Sequence, residues 1–236
     1  MTISYLLTTI AIVIAAAIPY KAFTNWRKSK ANENLRKTAE KFSLSIVNSD
    51  PPSDFPLLQG TVDKVFIKIE TTKTKDGGKY PITHITVSLK PEFTEGPDIV
   101  KILPNRSFMA TPDEIYLKTG KTIVDNLYLI GVPRAELAKK LEQLAEDKDQ
   151  NKDNEVKISS TKETEEISSI EPLLVSFLED GVKLGLHEGQ FLFKQNSIKY
   201  SAPEHPVSKE SLERLEFLIN KLPELTRQAV ANLLFK

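Results

Sequence analysis

The chain has 236 residues, 40% hydrophobic and 27% charged, enough apolar material for one or two domains and unlike either a disordered tail or a polytopic membrane protein. It contains no cysteine, which excludes disulfide frameworks, thiolate metal sites, iron–sulfur clusters and cysteine nucleophiles. Its 32 basic and 32 acidic side chains cancel, so no overall field draws it to nucleic acid.

The zero hides an asymmetry. Residues 1–43 hold seven Lys/Arg against two Asp/Glu, whereas residues 146–171 hold four against nine. A basic N-terminal end and an acidic middle segment therefore frame two neutral blocks.

Residues 1–20 carry no charged side chain, and Ile3 to Tyr20 is mostly Ile, Leu, Val, Ala and Thr. About 20 helical residues cross a ~30 Å hydrocarbon layer. Tyr20 and Trp26 are amphipathic rings suited to the headgroup level, and Pro19 lies near the exit of the span. A cleavable signal peptide needs a basic segment ahead of the apolar run, which is missing here. A buried core helix fits the length and the basic flank less well. The expectation is a single transmembrane anchor over 1–20, followed by a basic juxtamembrane helix over 21–43. Lys21, Arg27, Lys28 and Lys30 follow the span at once, so together with Tyr20 and Trp26 they form the expected membrane interface. Positive flanks stay cytoplasmic, which predicts the inner (cytoplasmic) membrane, N-terminus out and the remainder inside. In that compartment the sequon Asn105-Arg106-Ser107 is without consequence.

Ala31 to Phe42 reads as amphipathic, with Leu35, Ala39 and Phe42 on one face and Glu33, Arg36, Lys37, Glu40 and Lys41 opposite. The apolar stripe is expected to dock on the soluble domain; the competing use is a basic surface against anionic lipid.

Residues 44–146 are rich in strand signals and predict an α+β domain. Thr61 to Thr71 alternates Val65, Ile67 and Ile69 with Phe66, Lys68 and Glu70. Pro81 to Lys90 alternates Ile85, Val87 and Leu89 with His84, Thr86 and Ser88. Asp76-Gly77-Gly78 between them predicts an antiparallel hairpin. Ile99–Leu103, Glu114–Lys118 and Leu127–Ile130 are further expected strands, and 123–130 reads as a turn into a strand. Pro133 then opens an amphipathic helix with Leu137, Leu141 and Leu144. Gly120-Lys121-Thr122 resembles the end of a phosphate-binding loop, but position 115 is Ile where that loop needs glycine, and no strand-to-helix transition is expected there.

Two segments carry a family likeness: Leu58-Gln59-Gly60-Thr61-Val62 ahead of the first long strand, and the run from Thr119 through Gly120, Lys121, Asp125 and Asn126 to Gly131. On these residues the stretch 44–146 resembles uncharacterised single-pass membrane-anchored α+β proteins of Gram-negative bacteria. Lys121 departs from the Gly-Asp of that group, and Asp125 is the position that matches its aromatic-Asp pair. The resemblance implies the anchor and the fold, and no activity.

Residues 147–168 are Lys, Asp, Glu, Asn, Ser and Thr with few apolar side chains, and predict an acidic polar linker, with docking to a basic partner, a strap across the chain's own basic juxtamembrane helix, or a short edge strand at Val156-Ile158 as alternatives. Residues 169–236 predict a smaller α+β block, a loose counterpart of the first. A short helix over Glu171–Leu178 ends at Asp180-Gly181. Val182, Leu184 and Leu186 then alternate, as do Phe191 and Phe193, suggesting a second hairpin. Ser208 caps a helix with Leu212, Leu215, Ile219 and Leu222; Pro223 interrupts it, and a last helix carries Ala229, Leu233 and Phe235.

Chemical signatures are sparse. No Gly-x-Ser-x-Gly turn occurs, and His187-Glu188 lacks a second histidine at 191, which is Phe. His84, His187 and His205 are dispersed; Asp63, Glu70 and Asp98 are the carboxylates that folding would have to bring together. No cofactor and no nucleic acid are expected. The favoured function is a membrane-anchored non-enzymatic interaction or assembly module, with the lipid bilayer and a further protein as partners. The alternatives are a membrane-surface enzyme using carboxylate or hydroxyl groups, and a periplasmic binding domain on a reversed anchor.

Overall fold

The computed structural model describes residues 2–47, 54–72, 81–94, 96–105, 113–135, 172–203 and 206–228, with side chains from residue 17 onward except at 18. The expected hairpin tip at 76–78, the helix with Leu137, the linker 147–168, His205 and the last helix at 229–235 lie outside the described residues.

The first helix, α1 (Thr2–Phe42), has 41 residues and is about 60 Å long. It continues through Pro19, so the expected anchor and juxtamembrane helix are one backbone element. It ends in a left-handed turn: Ser43 has φ 54, its amide bonds to Glu40 O, and the Leu44 amide reaches back to Ala39 O at 2.8 Å. The strands β1 (Ser45–Val47), β2 (Leu57–Val62), β3 (Val65–Thr72) and β4 (Ile82–Ser88) follow. A 3₁₀ turn at Pro91–Thr94 leads to β5 (Val100–Pro104) and β6 (Glu114–Leu117). Then come α2 (Thr122–Leu127), β7 (Tyr128–Pro133), α3 (Pro172–Lys183), β8 (Gln190–Lys194), β9 (Ser197–Ala202) and α4 (Lys209–Arg227).

The fold is α+β, and the described residues place nine strands in one antiparallel sheet of order β1-β2-β3-β4-β9-β8-β5-β7-β6. The late hairpin β8–β9 sits between β4 and β5, so the segments 44–146 and 169–236 build one sheet and share one core. The alternation that identifies each strand also separates the two faces. Ile67, Ile69, Ile85, Ile102, Phe191 and Tyr200 are buried beneath the helices, where they meet Leu35, Leu178, Leu215 and Leu222. The opposite face is half-exposed among the described residues, apart from small buried serines, and carries Lys68, Glu70, His84, Lys101 and Lys199.

Five expectations are corrected. The stretch 61–71 is the end of one strand and the body of another. Asp63 and Lys64 both take positive φ, 49 and 66, closing a two-residue hairpin without the glycine that usually announces it. Residues 182–186 do not form a strand. Helix α3 continues through Asp180-Gly181 because Gly181 lies under Leu186, whose Cδ1 would stand 2.8 Å from any Cβ there. It ends at Lys183, the chain turns at Gly185, φ 74, and the hairpin partner of β8 is β9. Residues 122–127 are helical before β7 begins. Pro223 does not interrupt α4, where its buried ring and the burial of Leu222 and Leu225 offset the lost hydrogen bond.

Other expectations hold. The β3–β4 hairpin forms, with Ile69 opposite Ile85. Ser208 caps α4, its hydroxyl accepting from the Ser211 amide at 3.1 Å.

Since β9 pairs with β4 and β8 with β5, the chain is closed by pairing between segments distant in sequence. A site-specific protease sequence inserted within 147–168 and cut in the folded protein is expected to leave both fragments in one particle on gel filtration. Separation of the fragments without denaturant would contradict the shared sheet.

Candidate membrane interface

The two halves of α1 have different surroundings. Ala31, Leu35 and Ala39 are buried at helical spacing, and the turn after them packs on β2, where a Cβ at Gly60 would stand 2.9 Å from Leu44 Cδ2. Buried Asn34 donates through Nδ2 to Pro206 O at 2.8 Å and to Val207 O at 3.3 Å. Thr38 Oγ1 bonds back to Asn34 O at 3.0 Å. Lys28 pairs with Asp54, and Lys41 pairs with Glu216 of α4 at 2.8 Å. The expected docking of the apolar stripe is therefore realised, and residues 28–42 belong to the domain.

Toward the N-terminus the contacts cease. Every described side chain from Ala17 to Trp26 is exposed. Tyr20 is 71%, Phe23 54% and Trp26 57% exposed. Phe23 stacks on Trp26 with centroids 6.0 Å apart, and the Arg27 guanidinium lies over the Phe23 ring at 5.7 Å. The expected interface residues Tyr20, Lys21 and Trp26 are thus together on exposed helix, with Arg27 at its margin. Lys28 is turned to Asp54, and Lys30 pairs with Glu33 at 3.1 Å. Phe23 was missed by sequence reasoning, although its place three residues after Tyr20 and three before Trp26 puts it in the same collar. Among the described residues no helix is long and apolar enough to cross a membrane. The charge-free run expected to do so falls almost wholly on residues whose side chains are not described, so the anchor rests on the sequence.

The groups nearest to enzyme chemistry are on the open face of the sheet. His84 Nδ1 is 2.8 Å from Ser201 Oγ, and its Nε2 is 3.2 Å from Thr72 Oγ1. Burial, followed by the charge of Lys199, lowers the His84 pKa to about 4 against the opposing influence of Glu70. The imidazole is therefore neutral at pH 7 and a weak base. Ser201 lies inside β9 between β4 and β8, where strand pairing engages the neighbouring amides that an oxyanion would need. This arrangement joins strands better than it activates a nucleophile.

Asp63 and Glu70 do not converge: Asp63 sits in the turn before β3 and Glu70 lies toward the far end of that strand, about 20 Å away, and Glu70 pairs with Lys68 at 3.1 Å. No group of three or more metal-ligating side chains occurs among the described residues. At Gly120-Lys121-Thr122 a strand-to-helix transition does exist, contrary to expectation, but its helix has six residues. Asp125 Oδ1 accepts from both the Thr119 amide and hydroxyl at 2.8 Å, placing a negative charge at that turn. His187 sits in a 3₁₀ turn with Nδ1 buried and unpartnered, and buried Tyr128 has an unpartnered hydroxyl whose ionisation burial pushes up. Neither was legible in the sequence.

No protein-family model matches the chain, and no similar curated protein or solved structure is found.

The His84 environment fixes a pH response. Its folded pKa, about 4, lies below the ordinary 6.5, so the unfolded chain takes up the proton first. Its contribution is neutral above pH 7 and destabilising as pH falls from about 6.5 to about 4. Allowing for solvent screening of a half-buried ring, the loss is about 1–2 kcal/mol. In mild detergent, His84→Gln is expected to reduce the drop in denaturation midpoint between pH 7.5 and pH 4.5. An identical drop in both proteins would contradict the environment described for His84.

Proposed function

We propose that the protein is a membrane-anchored, non-enzymatic interaction or assembly module. Residues 1–20 span the inner membrane with the N-terminus out, and the α+β domain lies on the cytoplasmic side, where it offers its open sheet face to a protein partner. The observation that carries this reading is the change along α1: a seam buried at Ala31, Leu35 and Ala39 gives way to an exposed aromatic collar at Tyr20, Phe23 and Trp26. The collar stands where the charge-free run meets Lys21 and Arg27. A helix apolar on every side is stable when buried in protein or lipid. Aromatic rings with one wet edge collect at the headgroups, and cations follow on the cytoplasmic side.

The second reading, a membrane-surface enzyme using hydroxyl groups, draws on the Ser201–His84–Thr72 chain. The weak basicity of His84 and the strand setting of Ser201 argue against it.

A C-terminal fluorescent reporter that matures only in the cytoplasm is expected to light up, and a phosphatase active only in the periplasm is expected to stay silent. The reverse result would establish a periplasmic domain. Deleting residues 1–20 is expected to abolish cellular function, because the anchor raises the local concentration of a weakly binding domain. Ser201→Ala is expected to leave function nearly intact. Activity that survives the deletion and is lost in Ser201→Ala would replace the module with an enzyme.

A further inference from the structure

We infer that the collar of α1 selects anionic lipid headgroups, and that Lys21 and Arg27 make the selection while the other cations of the flank do not. This rests on the anchor reading and adds a lipid class to it. The basic flank looks uniform in sequence, and folding divides it. Lys28 is paired with Asp54, Lys30 and Lys37 with Glu33, and Lys41 with Glu216. Lys21, Arg27 and Arg36 have no acidic partner among the described residues. Arg36 lies on the docked half, about 22 Å along the helix from Lys21 and beyond a headgroup layer of ~5–8 Å.

Lys21 and Arg27 are about 9 Å apart along the axis and bracket Phe23 and Trp26. Their side chains are long enough to reach the headgroups from either margin of that layer. Arg27 lies over Phe23, which stacks on Trp26. A guanidinium held by its face keeps its N–H edge for the two oxygens of a phosphate. Zwitterionic phosphatidylcholine covers its phosphate with a cation of its own, whereas phosphatidylglycerol leaves the phosphate charge uncompensated. Attraction to an anionic surface strengthens association about fivefold per cation.

Trp26 is the only tryptophan of the chain and lies within the collar, so it reports the lipid beside it. The full-length protein is reconstituted in phosphatidylcholine vesicles containing one-fifth phosphatidylglycerol, with bromine on the acyl chains of one lipid or of the other. Both brominated lipids are expected to quench Trp26, with phosphatidylglycerol several-fold more effective per molecule and the preference reduced in 0.5 M salt. Lys21→Gln with Arg27→Gln is expected to remove the preference while quenching persists. Lys28→Gln with Lys30→Gln is expected to leave the preference unchanged. Equal quenching by the two lipids, or a preference lost with Lys28 and Lys30 instead, would overturn the inference and leave the anchor standing. Quenching by neither lipid would overturn the anchor reading, and the inference with it.

Discussion

The seam between α1 and the domain is the contact on which the rest of the arrangement depends. Alanines at 31 and 39 let the helix lie close, and Leu35 between them is fully buried. Full burial of a leucine contributes about 1.5–3 kcal/mol. Asn34 adds specificity, because its buried amide is satisfied only with the helix in place against Pro206 and Val207. Those two residues lead into the cap of α4 at Ser208, so one helix face binds the start of the chain to its last long helix. The Lys41–Glu216 pair repeats that link at the surface, where an exposed ion pair adds little stability.

This seam gives the proposed anchor a mechanical character. A flexible tether would confine the domain near the bilayer and leave its orientation free. Here the helix that carries the collar is also part of the fold, with no break in its backbone between Tyr20 and Ala31. Helical rise sets the distance between the collar and the buried seam, about 16 Å over those 11 residues. In the proposed arrangement the open face of the sheet, with Lys68, His84, Lys101 and Lys199, would be carried at a fixed attitude to the membrane. Fixed presentation suits a module that works by contact, because less orientational freedom is lost when a partner docks.

The sequence declared the regular elements better than the joints. Alternation at Val65, Ile67 and Ile69, and at Ile85 and Val87, revealed strands because one sheet face is buried and the other is not. Spacing of 35, 39 and 42 revealed the docked half of α1 for the same reason. The turn at Asp63-Lys64 stayed hidden because its positive φ values fall on residues that rarely announce them. Gly181 misled because glycine usually ends a helix, whereas here it makes room for Leu186 within one. The insertion of β8–β9 between β4 and β5 was illegible because pairing between distant segments leaves no local pattern. In the exposed collar, amphipathic character and charge singled out Tyr20, Lys21, Trp26 and Arg27, which the fold leaves together on one stretch of helix. The pairing of Lys28 with Asp54 and of Lys30 with Glu33 was not readable, since it depends on where those carboxylates lie.

The central claim is that one helix belongs to two environments, and a nitroxide scan of residues 3–42 in lipid vesicles tests it most directly. Accessibility to oxygen and to a water-soluble nickel chelate is measured at each position. The account predicts high oxygen and low nickel accessibility without helical periodicity through 3–20, then a crossover between 20 and 27. Beyond it, a 3.6-residue period with minima at 31, 35 and 39 is expected. Nickel accessibility throughout 3–20, or a buried stripe there with the period of the docked half, would contradict it.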